Sequence, residues 1–191
     1  MRVHRPLPVN KEIKVASKSF LVSKTDEKGN ILYVNDTFCD VTGYDKLEVL
    51  GAPHNILRHP DMPAVIFYLM WKQIQNGNNI RVLVKNLARS GKYYWVSTDF
   101  EIKHEIQTNK KTYVAFRRAV SRQAIDEIEP LYQNLLRIEK THGVHASLVY
   151  LEGYLEERHL TFDEYMDSIL KPKGLMAIIF NTMKKTFSAA A

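Results

Sequence analysis

The hydrophobic period of this chain switches twice, and that limits the folds open to it. Phe20–Lys24 and Ile31–Asn35 alternate apolar and polar residues, and the polar, Gly-containing Asp26–Asn30 lies between them. This predicts two strands joined by a hairpin turn. Short helical segments follow. Asp36 stands where a helix ending at Gly43 would be capped, and Lys46–Leu50 reads as another helix, closed by Gly51. In Pro63–Asn76 the apolar positions 65, 66, 69, 70 and 74 keep helical spacing up to Gly77. The period then returns to two. Ile80–Leu87, Tyr93–His104 and Thr112–Val120 are rich in β-branched and aromatic residues. Two strands, several short helices and three strands predict an α+β fold, a five-stranded antiparallel sheet with helices against one face.

Strand character ends at residue 121. Ile125, Ile128, Leu131, Tyr132, Leu135, Leu136 and Ile138 follow helical spacing, with a kink expected at Pro130. Thr141–Gly143 separates this helix from Leu148–Glu157. Thr161 and Glu164 have the spacing of a capping box for a helix ending at Leu170. In Leu175–Phe187, residues Met176, Ile179, Phe180, Met183 and Phe187 share one helical face. Such a helix can cover its own sheet, join a second copy or a partner's helix, or lie on an anionic membrane. The chain thus divides into a basic leader over 1–18, a sheet domain over 19–121 and a helical extension over 122–191.

Pro53–Pro63 concentrates chemistry. It holds His54, Arg58, His59 and Asp61, with prolines at 53, 60 and 63 that stiffen the backbone. A segment so polar and so turn-rich suits the wall of a pocket. Arg58 could pair with Asp61 or bind an anion. His59 could be a structural residue ahead of Pro60 or a hydrogen-bonding one.

Together with its flanks, this segment resembles the PAS sensor domains of aerotaxis and energy-taxis receptors of the Aer type. Thr25–Ile31 matches their opening hairpin, and Asn35–Phe38 with Val41–Tyr44 matches the helix that follows. His54–Pro63 matches the narrow signature of the subfamily. Trp71, Val84–Asn86 and Gly91–Val96 complete the pattern over roughly residues 19–120. The lack of a membrane anchor or signalling module in these 191 residues is similar to the CetB type, the soluble PAS half of bipartite energy-taxis receptors. Ile125–Leu136 resembles the segment after PAS in both kinds of protein.

The resemblance implies non-covalently bound FAD. A dinucleotide flavin needs partners for a flat ring, a polar ring edge and a pyrophosphate. Trp71 could stack on the ring or belong to the core. Arg58 could neutralise the pyrophosphate, and His59 could bond the phosphate or the ring edge. Asn35 and Asn86 could meet the ring edge with amides that both donate and accept; Asn35 could equally be a turn or cap residue. The resemblance also carries His54, Asp61 and Tyr94 as cofactor-binding residues. Where the family has a tryptophan after the helix-ending glycine, this chain has Ile80, which implies an altered flavin affinity or potential. Haem b is the competing cofactor, with His54 or His59 as axial ligand. Cys39 lacks the surroundings of a flavin-reactive thiol. A different-class reading is a cofactor-free interaction module.

The sequence has no phosphate-binding Gly-rich loop, no metal-ligand spacing and no arranged nucleophile, so no enzyme is expected. Net charge is +6, and Arg2, Arg5, Lys11, Lys14 and Lys18 against Glu12 put much of it in the leader, read as a flexible basic arm. No helix-turn-helix or zinc pattern supports nucleic-acid binding. The longest apolar run, Leu175–Phe180, is far short of a membrane span, and no signal peptide is evident. The expected setting is cytoplasmic, linked to the inner membrane through a chemoreceptor-like partner; a homodimer and a peripheral membrane contact through residues 172–191 are also open.

Overall fold

The computed structural model describes residues 5–105, 110–170 and 175–190. Five antiparallel strands, β1 (Phe20–Thr25), β2 (Ile31–Val34), β3 (Arg81–Leu87), β4 (Tyr93–Glu105) and β5 (Lys110–Ala119), form one sheet in the order β2-β1-β5-β4-β3. Between β2 and β3 lie α1 (Asp36–Thr42), α2 (Lys46–Val49), a 3-10 turn (His54–Leu57) and α3 (Ala64–Gln75). After β5 come α4 (Arg122–Glu156), α5 (Phe162–Leu170) and α6 (Leu175–Ala190). The five-stranded antiparallel α+β sheet is as expected, but helices cover both of its faces and not one.

Strand pairing sets two faces. Cross-strand neighbours share a face, and each strand alternates. One face carries Ser23, Thr98, Ala115 and Arg117 with Val84 and Asn86. The opposite face carries Val22, Leu83, Trp95, Val114 and Phe116. Both faces are covered. On the first, α1 and α2 close a dry cluster around Phe38, Tyr44, Val49, Tyr94 and Val96. α3 leans over the rest. On the second, α4 lays Ile125, Ile128, Leu131, Tyr132 and Leu135 into a cluster with Leu83 and Trp95. The Tyr132 ring stacks on Trp95 at 6.4 Å, and its hydroxyl donates to the Leu83 carbonyl at 2.8 Å. The acceptor offsets the cost of burying the hydroxyl.

Three local readings are corrected. The cap of α1 is Asn35, and Asp36 is its first helical residue; Asn35 Oδ1 accepts from the Phe38 N–H at 3.1 Å. The break in α4 falls at Gly143, with φ 82° and ψ 173°, not at Pro130. Pro130 faces solvent. There the carbonyl left without its helical N–H can bond water. The leader does not hang free. Residues 5–18 cross the start of β4, with the Val9 N–H donating to Gly91 (2.8 Å), Tyr93 N–H to Lys11 (3.0 Å) and Ile13 N–H to Tyr93 (2.7 Å). β5 ends opposite Val96, so the strap takes over its side of β4. The Leu7 carbonyl presses so closely on Gly91 that a Cβ there would lie 2.3 Å from it.

The Thr161–Glu164 capping box forms as expected, with bonds of 2.8 and 3.2 Å. On the tail face, Met183 packs against Val22, Val114 and Phe116, and Lys184 pairs with Glu101 at 3.1 Å, while Ile179 is exposed. The side chains of Met176, Phe180 and Phe187 lie outside the described residues.

Candidate functional site

A cavity of about 400 Å3 lies between α3 and the inner face of the sheet. α3 turns Phe67, Tyr68, Met70, Trp71 and Ile74 toward it. The sheet supplies Val84, Phe100, Tyr113 and Ala115 on the far side. Trp71 meets Tyr113 edge to face at 5.8 Å. Gly29, at φ +81°, lets the hairpin turn sit against the Trp71 ring, where a Cβ would lie 3.1 Å away. These surfaces make a flat, apolar slot.

The polar lining is one-sided in charge. Lys28, Arg58 and Arg117 border the cavity, and among the described residues no aspartate or glutamate does. Arg117 is 3% exposed. Its guanidinium donates to Ser23 Oγ at 2.9 Å and to His54 Nε2 at 2.9 Å, both neutral acceptors. No carboxylate among the described residues answers it, and burial pulls its pKa down to about 10. Because Nε2 of His54 accepts, the ring proton is assigned to Nδ1. Burial, and then the Arg117 charge, hold this histidine neutral, well below its usual range. The Thr98 hydroxyl, directly across the strand pair from Arg117, is buried and has no hydrogen-bond partner among the described residues. Such an orphan group fits a polar ligand edge.

Of the eight residues expected at the site, four line the cavity: His54, Arg58, Trp71 and Asn86. Arg58 forms a backbone bridge with Asn86, which shields the otherwise open edge of β3. Its guanidinium lies 4.6 Å from the Phe67 ring and donates to the Met62 carbonyl at 3.1 Å. It makes no pair with Asp61.

The other four do not line it. Asn35 spends its amide on the fold, accepting from the Val22 and Phe38 N–H groups and donating to the Phe20 carbonyl. Both acceptor sites of its oxygen and one of its two N–H donors are taken up by backbone, so Asn35 serves as a cap and strand anchor away from the cavity. Tyr94 is fully buried with Phe38 and Tyr44, and burial raises its pKa. His59 and Asp61 pass beyond the sheet edge. His59 Nδ1 accepts from the Asp61 N–H at 3.1 Å, and its ring packs on Tyr93. Asp61 accepts from Lys85 Nζ at 2.7 Å. Although partial burial opposes it, that ammonium keeps Asp61 below the usual carboxylate range. Ile80 is buried in the core and does not border the cavity. Neither does Cys39.

The signature segment therefore straddles the sheet edge. Arg58 serves the cavity, and Asp61 reaches the outer face. There Lys85, next to Asn86 on β3, binds Asp61 and lies 3.9 Å from Glu129 of α4. A second bridge joins the same parts. Glu139 of α4 accepts from the Ala64 and Val65 N–H groups at 2.8 Å each, capping the helix that forms the cavity wall. A carboxylate at a helix N-terminus meets both its unpaired donors and its dipole.

Arg117, Thr98 and Ser23 were not legible as site residues. The one usable signal was alternation in β5, which puts Arg117 on the face of Tyr113 and Ala115.

A family profile described as the PAS fold matches residues 31–116. The Escherichia coli K12 aerotaxis receptor is 33% identical over 78% of this chain. The nitrogen fixation regulatory protein of Klebsiella pneumoniae is 31% identical over 56% of it. The chain spans 29% and 22% of the lengths of these relatives. Among solved structures, a light-oxygen-voltage domain studied with a flavin analogue superposes with a TM-score of 0.51 at 22% identity, over 60% of this chain and 86% of that one. Among the described residues no helix is long and apolar enough to cross a membrane. The chain carries a PAS sensor domain of the aerotaxis-receptor type.

Proposed function

We propose that this chain is a redox sensor of energy taxis that binds FAD in the cavity and relays its state through α4 to a membrane-bound chemoreceptor-like partner. The observation that carries the reading is the pairing of an aromatic slot with a lining that, among the described residues, holds three cations, no carboxylate and an unpartnered Thr98 hydroxyl. That set suits a flat ring with a polar edge and a negatively charged tail. A bound flavin would supply a ring whose hydrogen-bond demands and charge change with its redox state. Asn86, Thr98 and Arg117 would answer that change at the sheet. His54 suits haem poorly, because its Nε2 is taken by Arg117 and Ser23. His59 lies outside the cavity. In this reading the protein works on the cytoplasmic side, held at the inner membrane by its partner.

The test is the chromophore. The purified chain should show a flavin spectrum, or take up added FAD, and release FAD on denaturation. A Soret band, or release of FMN alone, would reject FAD as the native ligand. A colourless protein that takes up no FAD would support the cofactor-free interaction module.

The relay gives a separate prediction. Lys85→Met removes the ammonium that ties β3 to Asp61 and faces Glu129, without touching the cavity. Flavin affinity should stay within about twofold, while hydrogen exchange in α4 loses its dependence on flavin reduction. An unchanged exchange difference would move the relay elsewhere.

A further inference from the structure

One cation near the mouth has no role so far. Arg5 lines a second hollow, of about 480 Å3, together with Pro53, Asn55, Ile56, Arg58 and Pro60. Pro53, Asn55 and Arg58 also border the main cavity, so the two spaces share a wall. Neither is lined by a carboxylate among the described residues. Among the described residues Arg5 has no acidic partner, and its charge acts on Arg58 and on His59 in the same sense as burial, where Glu139 and Asp61 act in the opposite one. Two guanidinium groups on the wall of one hollow repel each other, and an anion between them relieves that repulsion. The position of Arg5 is also set by the fold. Four residues on, Val9 is fastened to Gly91, and the Leu7 carbonyl is pressed onto the same glycine. The strap delivers its guanidinium to the hollow.

We infer that Arg5 and Arg58 form a diphosphate subsite, gripping the pyrophosphate of a dinucleotide flavin whose ring lies in the main cavity. This rests on the flavin reading above and makes the 5–18 strap part of the binding site. Two guanidinium forks match two linked phosphates, each by paired N–H donors. The ring then depends on the aromatic slot, and the choice of FAD over simpler flavins depends on the strap.

The experiment is a titration of the full chain, wild type and Arg5→Ala, with FAD and with riboflavin, followed by flavin fluorescence at two salt concentrations. Wild type should prefer FAD, and more so at low salt. Arg5→Ala should lose about tenfold in FAD affinity, the scale of one charge-assisted contact, with riboflavin affinity unchanged. Arg5→Lys should recover part of the loss, keeping the charge without the fork. An Arg5→Ala chain that binds FAD as wild type does, or loses FAD and riboflavin equally, would overturn the subsite and leave the flavin reading standing. A wild-type chain that takes up neither compound would sink the flavin reading and the subsite with it.

Discussion

Arg117→Met should make the ligand-free protein more stable and the flavin complex weaker. The guanidinium is buried among neutral acceptors, and the fall of its pKa from the usual arginine range to about 10 corresponds to a cost on the order of 3 kcal/mol for keeping it charged. Methionine fills similar space without that cost. Part of the gain is offset by two lost hydrogen bonds, each worth about 1 kcal/mol. Ser23 Oγ and His54 Nε2, 3.2 Å apart, can still bond each other. A net gain of roughly 1–2 kcal/mol raises the melting temperature by roughly 2–8 °C for a chain of this size. The sign with pH is definite. A base whose folded pKa is depressed destabilises the fold wherever it is charged, and the penalty fades only as pH rises above about 10. The gain should therefore hold across neutral pH. Flavin affinity should drop at least about tenfold, because the variant cannot pair with ligand charge. A lower melting temperature would mean that the hydrogen bonds outweigh the burial cost. Unchanged affinity would remove Arg117 from the ligand contacts. A site that holds strain of this kind trades stability for function.

A chain cut after Ser121 should fail to fold, whereas one cut after Leu170 should fold and keep its cavity. The first cut strips Ile125, Ile128, Leu131, Tyr132 and Leu135 from the outer face and exposes Leu83 and Trp95. At about 2 kcal/mol for each buried side chain, the five account for an upper figure near 10 kcal/mol, as large as the whole stability of a typical domain. It also removes Glu139, the cap of α3. The second cut loses only the α6 contacts, among them Met183 and Lys184 against the outer face. Solubility and a cooperative circular-dichroism melt decide both. A soluble, cooperative 1–121 fragment would show that α4 is an appendage to the fold. Loss of folding in the 1–170 chain would make α6 part of the core.

Much of the fold was legible in particular elements. β3, β4 and β5 fall within two residues of their expected bounds, because long runs of β-branched and aromatic residues bounded by turn signals leave few other readings. The 161–164 capping box was legible because it is local. Pro130 misled. Its cost depends on whether the carbonyl it strands faces core or water, and that is decided by how α4 packs. Asn35 misled for a related reason. Its amide suits a ligand or a cap equally well, and the nearness of Phe20 and Val22 settled it as a cap.

The order of strands and helices, the stiff Pro53–Pro63 segment and the placing of Trp71 on a helix beside it were determined by the sequence alone, through period, caps and prolines that act over a few residues. Which charges meet was decided only by the tertiary structure. Arg58 and Asp61, three residues apart, end on opposite sides of the β3 edge. Arg117 joins His54 across 63 positions, and Glu139 caps a helix 75 positions away. β5 is covered on both faces, so hydrophobicity along it could not say which side of the strand holds the ligand. Strand register and packing made that choice.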